Sequence, residues 1–256
     1  WVSLCAAFFS YGFSRMYHLP NSNFWLVFSG TLFVYTGQRY YKIWKRDLST
    51  NSKRIEWMID NKVLVQTLLL LSFVAFSFLS SLQMFNYPRT IVLFAISGLI
   101  SILYVVKIGR WNLREIPFLK VFMVVLAYFI LTIGLHMRLE HIPFNHSIVS
   151  FLFLILGLTI LFDIPDRKID AISYKTFAQV FGVQWTMLIS ALFVTMYFLL
   201  KSYKGGAYGS AVNAIWALVI LTFYIKLPKK VDSEFYLAFY GEGILGLIGL
   251  NYFLIS

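Results

Sequence analysis

The sequence predicts an all-α integral membrane protein, a bundle of nine transmembrane helices with its N-terminus in the cytoplasm. Three observations predict it: the composition, the spacing of apolar stretches and the placement of positive charge. Of 256 residues, 59% are hydrophobic and only 13% charged, and the mean hydropathy is +0.74. Those values lie outside the usual range of a soluble globular domain. Apolar stretches run through about 1–17, 22–38, 63–83, 90–106, 117–135, 147–162, 184–200, 208–226 and 235–255. Most are long enough to cross roughly 30 Å of hydrocarbon as helices. Of 22 basic residues, 17 fall on the connections that follow even-numbered stretches; the other side has only Arg15, Arg89, Arg138, Lys201 and Lys204. By the positive-inside rule the even connections are cytoplasmic and the C-terminus lies outside.

The first stretch is bounded only by the chain start, and nothing ahead of it resembles the charged leader of a signal peptide. It reads as a span whose leading residues are missing. It holds Cys5, the single cysteine, which has no histidine or second cysteine nearby and reads as a small packing residue. After the second stretch, residues 40–62 form the longest polar connection, with a short amphipathic helix expected around Ile55 to Ile59. No soluble domain is evident, so residues 1–256 read as one transmembrane domain. Asn112, Arg114, Glu115 and Lys120 frame the start of the fifth stretch, where Arg114 and Glu115 read as an interfacial pair. His18, His136, His141 and His146 all fall on the outer side without a ligand spacing.

Glu242, in the last stretch, is the only acid well inside an apolar segment. An intramembrane carboxylate is costly and is by default a functional candidate; the plainer reading is a hydrogen-bonded structural Glu. Gly241, Gly243, Gly246 and Gly249 around it allow close helix approach. The net charge of +11 follows from topology and from anionic membrane lipids. Spread over four loops rather than gathered on one folded face, it argues against nucleic acid as a partner.

The most informative segment is DIPDRKID, residues 163–170, where the sixth stretch ends. If it is helical, Asp163, Asp166 and Asp170 fall within roughly a 60° arc and share one face. Clustered carboxylates suit a magnesium ion that bridges to phosphate oxygens. Repulsion among three acids at a membrane boundary also demands that something cationic sit among them. The plainer reading is a solvated acidic helix start, with Pro165 near the first turn.

With nine stretches, a long basic loop after the second and an Asp-rich segment closing the sixth, the chain resembles the UbiA-type intramembrane prenyltransferases over nearly its whole length. The most specific part is D-x-x-D-x-x-x-D at Asp163, Asp166 and Asp170, followed by Thr176, Ala178 and Gly182. That order is similar to the T-x-A-x-x-x-G after the family's second Asp-rich motif, with one residue fewer between Asp170 and Thr176. Tyr104, Lys107 and Arg110 fall where the family carries a tyrosine and basic residues after span four. The resemblance implies a helical bundle around a central cavity, magnesium on an isoprenyl diphosphate, a lipophilic acceptor and a site capped by cytoplasmic loops. It implies Asp163, Asp166 and Asp170 as metal ligands, and Arg39, Lys107 and Arg110 as cations on the departing pyrophosphate. Lys42, Tyr40, Tyr104 and Lys175 would contact substrate. Tyr35 and Tyr128 join Tyr40 and Tyr104 as candidates to shield an allylic cation, although aromatics make up 19% of the chain and mostly fill or anchor such bundles.

One departure matters as much as the match. The family's first motif, N-x-x-x-D-x-x-x-D, falls in the best register on Thr36, Tyr40 and Trp44, none of them an acid. Arg39, Lys42, Lys45 and Arg46 stand there instead. These cations either grip a diphosphate directly, with bidentate guanidinium geometry, or pair with the three acids and shut the site. Three functions stay open: prenyl transfer, isoprenoid binding by a relative with a decayed metal site, and transport, which would favour polar residues in paired broken helices at mid-bilayer.

Overall fold

The computed structural model describes residues 1–19, 23–44, 53–104, 106, 116, 118–139, 142, 144–167, 176–202, 206–226 and 236–255. Among them the chain is helical, with no strand. The helices are α1 (Val2–Met16), α2 (Phe24–Trp44), α3 (Lys53–Asp60), α4 (Lys62–Asn86), α5 (Ile91–Leu103), α6 (Leu119–Phe129) and α7 (Leu135–Leu139). They continue with α8 (His146–Asp166), α9 (Phe177–Ser202), α10 (Gly206–Lys226) and α11 (Glu242–Ile255). A π-turn at Ile130–Gly134 joins α6 to α7, and another at Leu237–Gly241 precedes α11.

Four segments among the described residues are long and apolar enough to cross a membrane: Lys62–Asn86, Leu119–Met137, His146–Pro165 and Phe177–Lys201. The other apolar stretches also carry helix. Two are short, Pro88–Leu103 and Ala214–Tyr224, and α2 carries Arg39 and Lys42 near its end. The short helix expected at Ile55 to Ile59 is α3.

The helix α8 is apolar on every side, the pattern of a buried helix. It buries 61% of its span, against 17% for α4. Phe151, Leu154, Leu158 and Leu161 of α8 pack with Phe9 and Phe13 of α1, Val121 and Val125 of α6, Tyr197 of α9 and Ile248 of α11. In hydrocarbon such packing holds helices together through dispersion and close approach, because lipid tails are as apolar as the side chains. The glycines of α11 supply that approach: a Cβ on Gly249 would collide with the Phe8 carbonyl, and one on Gly246 would press on Cys5. Cys5 is buried there, as a small packing residue should be.

Direction follows from the contacts. Trp1 stacks on Phe239 at 4.6 Å and Cys5 meets Gly246, so α1 and α11 run parallel. Phe151 lies against Tyr197 and Asp163 reaches Phe177, so α8 and α9 run antiparallel. Leu26 packs with Leu135 and Gly30 faces Leu131, which opposes α2 to α6 and α7. Trp1, Arg39, Lys120, Asp163 and Phe177 therefore share one end of the bundle. Tyr17, His136, Asn145 and Lys201 share the other.

Candidate functional site

Asp163 sits on the last turns of α8 and is only 2% exposed. Its Oδ1 lies 3.1 Å from Lys120 Nζ on the first turn of α6, whose side chain is 12% exposed. Its Oδ2 accepts a 2.5 Å hydrogen bond from the Phe177 N–H, the first amide of α9. A helix begins there because Thr176 and Gln179 form a capping box. The Thr176 hydroxyl accepts from the Gln179 N–H, and Gln179 Oε1 accepts from the Thr176 N–H, both at 3.1 Å. The carboxylate thus meets an ammonium on one side and the positive end of a capped helix on the other. One buried acid ties α6, α8 and α9 together.

The turn around this pair is shaped by two backbone features. Phe118, just ahead of α6, has φ +65°, a costly conformation for a bulky residue. It lays the Phe118 ring on Phe177 at 4.5 Å and near Phe181 at 5.7 Å, beside the Lys120 end of α6. Gly182 has φ +78° and ψ +165°, a region open essentially to glycine alone. It kinks α9 one turn after its start. In the sequence Thr176, Ala178 and Gly182, the threonine is therefore the cap, the alanine a buried packing residue and the glycine the kink.

The expected cations behave differently from Lys120. Arg39 Nη2 donates to the Tyr35 hydroxyl at 2.6 Å, and its guanidinium carbon stands 4.1 Å from the Tyr35 ring centre. Among the described residues no carboxylate pairs with Arg39. Among the described residues the cation on Asp163 is Lys120, and Arg39 is held by a phenol. Tyr40 accepts from Gln66 Nε2 at 2.6 Å, which sets its hydroxyl toward α4. Tyr104 follows α5 and is half-buried. Among the described residues the buried Tyr128 hydroxyl meets no hydrogen-bond partner, and Glu242, half-buried at the start of α11, lies in electrostatic range of Tyr128 and Cys5. Lys107, Arg110, Asp170 and Lys175, and the side chains of Lys42 and Asp166, lie outside the described residues.

Of the three acids that the resemblance implies as magnesium ligands, the described side chains include Asp163 alone. A hard divalent cation takes six oxygens, typically including carboxylates that are free to turn toward it. Among the described residues there is no group of three His, Cys, Asp or Glu placed to hold a metal, and Asp163 already faces Lys120 and the Phe177 amide.

Two further polar groups escaped the sequence reading. Lys201 points its Nζ into a nest of Phe151 and Tyr252, 4.1 and 5.1 Å from the ring centres, and 3.1 Å from Met16 Sδ. Ser10 and His136, both buried, stand 3.0 Å apart in a pairing that resembles an activated nucleophile. The Ser10 hydroxyl, however, donates to the Thr132 carbonyl at 3.1 Å. A hydroxyl has one proton, so whenever Ser10 donates to Thr132 the His136 Nε2–H donates to Ser10, and in that tautomer the imidazole is no base toward Ser10. The bond instead fills the π-turn at Ile130–Gly134, where helix hydrogen bonding is interrupted. The signal that points to Lys120 is legible in hindsight: a lone basic residue at the edge of an apolar run requires a partner.

No protein-family model, no curated protein and no solved structure matches this chain.

Proposed function

We propose that this chain is a divergent intramembrane prenyl transferase, moving an isoprenyl group from an allylic diphosphate to a lipophilic acceptor, with the Asp163 end of the bundle facing the cytoplasm. The supporting observation is the buried Lys120–Asp163 pair at the end of a membrane-length helical bundle, on the same end as Arg39. In the reaction the allylic C–O bond breaks and its electron pair leaves with pyrophosphate. Fixed cations, Arg39 with Lys107 and Arg110, stabilise that developing charge. Lys42, Tyr40, Tyr104 and Lys175 hold substrate, and aromatic faces shelter the allylic cation from water until the acceptor attacks and releases its proton. Asp163, Asp166 and Asp170 would hold magnesium, which would supply positive charge to the diphosphate when bound.

Arg39→Ala tests this reading. It should weaken geranylgeranyl diphosphate binding by about 1.5–3 kcal/mol, the range of a charge-assisted contact, without lowering the melting temperature. Unchanged binding and turnover would remove Arg39 from the site. A second reading, a non-catalytic isoprenoid-binding relative, is favoured by one observation: both Asp163 oxygens are already engaged. It predicts diphosphate binding with no pyrophosphate release when lipophilic acceptors are supplied, and a pyrophosphate-release assay separates the two.

A further inference from the structure

Lys201 closes the membrane-length segment Phe177–Lys201 of α9, at the end of the bundle opposite Asp163. Its Nζ stands 4.1 Å from the Phe151 ring centre, 5.1 Å from that of Tyr252 and 3.1 Å from Met16 Sδ. An ammonium carries three N–H donors, and the thioether, a weak acceptor, takes one. The other two meet no oxygen acceptor among the described residues. Asn145 Oδ1, at the same end, is already engaged by the Tyr17 hydroxyl and the Ile148 N–H, each at 3.2 Å. The hydroxyls of Tyr197 and Tyr252 stand 3.2 Å apart. One such bond uses a single proton, so the other proton has no acceptor among the described residues. The group around Lys201 thus offers donors and no open acceptor. It is also within reach from outside the bundle: Lys201, Met16 and Tyr252 are half-buried, above Phe151 and Tyr197 at 1% and 2% exposed.

We propose that Lys201 binds the phosphate head of an anionic lipid, with the Tyr197–Tyr252 hydroxyl pair supplying a further donor; the proposal is independent of the prenyl-transfer reading of the Asp163 end. An ammonium set among apolar side chains at this depth is costly and by default is kept for a partner. Packing alone does not call for it, because an apolar side chain of similar length would lie on the same rings. An ionised phosphate oxygen accepts hydrogen bonds and brings the opposite charge, which matches both the free N–H groups and the ammonium. The position selects a lipid over a dissolved ion. Lys201 lies where α9 leaves its membrane-length segment, the level at which long basic side chains reach lipid headgroups. A dissolved phosphate would have to shed its water to enter among the rings, whereas a lipid headgroup arrives with its own apolar chains.

The test is calorimetric titration of the full chain, in a non-ionic detergent, with dioleoyl phosphatidic acid, with dioleoylglycerol as its uncharged twin, and with inorganic phosphate. Phosphatidic acid should bind saturably and at least about tenfold more tightly than either of the others. Lys201→Met should keep its melting temperature and lose that preference, while Lys201→Arg keeps it. Tyr252→Phe, which leaves the ring and removes the hydroxyl, should weaken phosphatidic acid alone. If Lys201→Met fails to fold, Lys201→Gln takes its place, and the three titrations of the unaltered chain stand by themselves. A folded neutral variant that binds phosphatidic acid as tightly as the unaltered chain overturns the inference. Equal binding of phosphatidic acid and dioleoylglycerol overturns it as well, because the charge is then not read. Inorganic phosphate bound as tightly as the lipid overturns the choice of a lipid ligand.

Discussion

Among the described residues two lysines, Lys120 and Lys201, lie inside this bundle and are satisfied by different chemistry. At one end Lys120 meets the Asp163 carboxylate at 3.1 Å. At the other, Lys201 rests on the faces of Phe151 and Tyr252 and on Met16 Sδ, and among the described residues no carboxylate pairs with it. The first solution is electrostatically strict. Two charges and a helix terminus are interlocked, and the loss of one charge removes a close partner from the other in a medium that solvates charge poorly. The second is permissive, because ring quadrupoles and a thioether accept an ammonium without requiring it. A neutral side chain of similar length can take the place of Lys201 but not of Lys120. The strict end is therefore the one where charge serves the fold.

The comparison is broken most directly by Lys120→Met. Leaving Asp163 without that ammonium should cost about 3–5 kcal/mol, read as a fall in unfolding free energy in detergent, and adding Asp163→Leu should restore most of it. A neutral single variant would show that the pair is not strict at all. Next in size is Gly182→Ala, which forces a side chain into φ +78° and should cost about 1–3 kcal/mol. The cost should fall on the kink in α9 and so on the Asp163 end, visible as faster amide exchange around Phe177. The smallest effect is expected for Lys201→Met: a loss of about 0.5–2 kcal/mol of cation–π attraction, offset by the removed cost of burying an ammonium, so that the melting temperature moves little. A destabilisation as large as that of Lys120→Met would erase the contrast between the two ends.

Much of the fold was legible in the residues. The nine apolar stretches all carry helix, the amphipathic turn near Trp57 is α3, and Gly246 and Gly249 are where α11 meets α1. These features are local: apolar runs, periodicity and small residues act within a few turns of their own position. The acid cluster also declared that Asp163 needs a cation. Which cation was not legible. Arg39 was among the expected cations, yet it stacks on Tyr35, four residues away on its own helix, whereas Lys120 comes from another helix altogether.

The sequence by itself determined the helices, their apolar character and the need to neutralise a carboxylate at the edge of a membrane-length segment, because hydropathy, helix period and the cost of an unpaired charge are properties of short stretches of chain. Only the tertiary structure decided that Lys120 does the neutralising, that Asp163 also caps α9 and that Lys201 is held by aromatic rings. Each of those depends on which helix faces bring groups distant in sequence within about 4 Å, where Coulomb attraction and hydrogen bonding become strong enough to choose a partner.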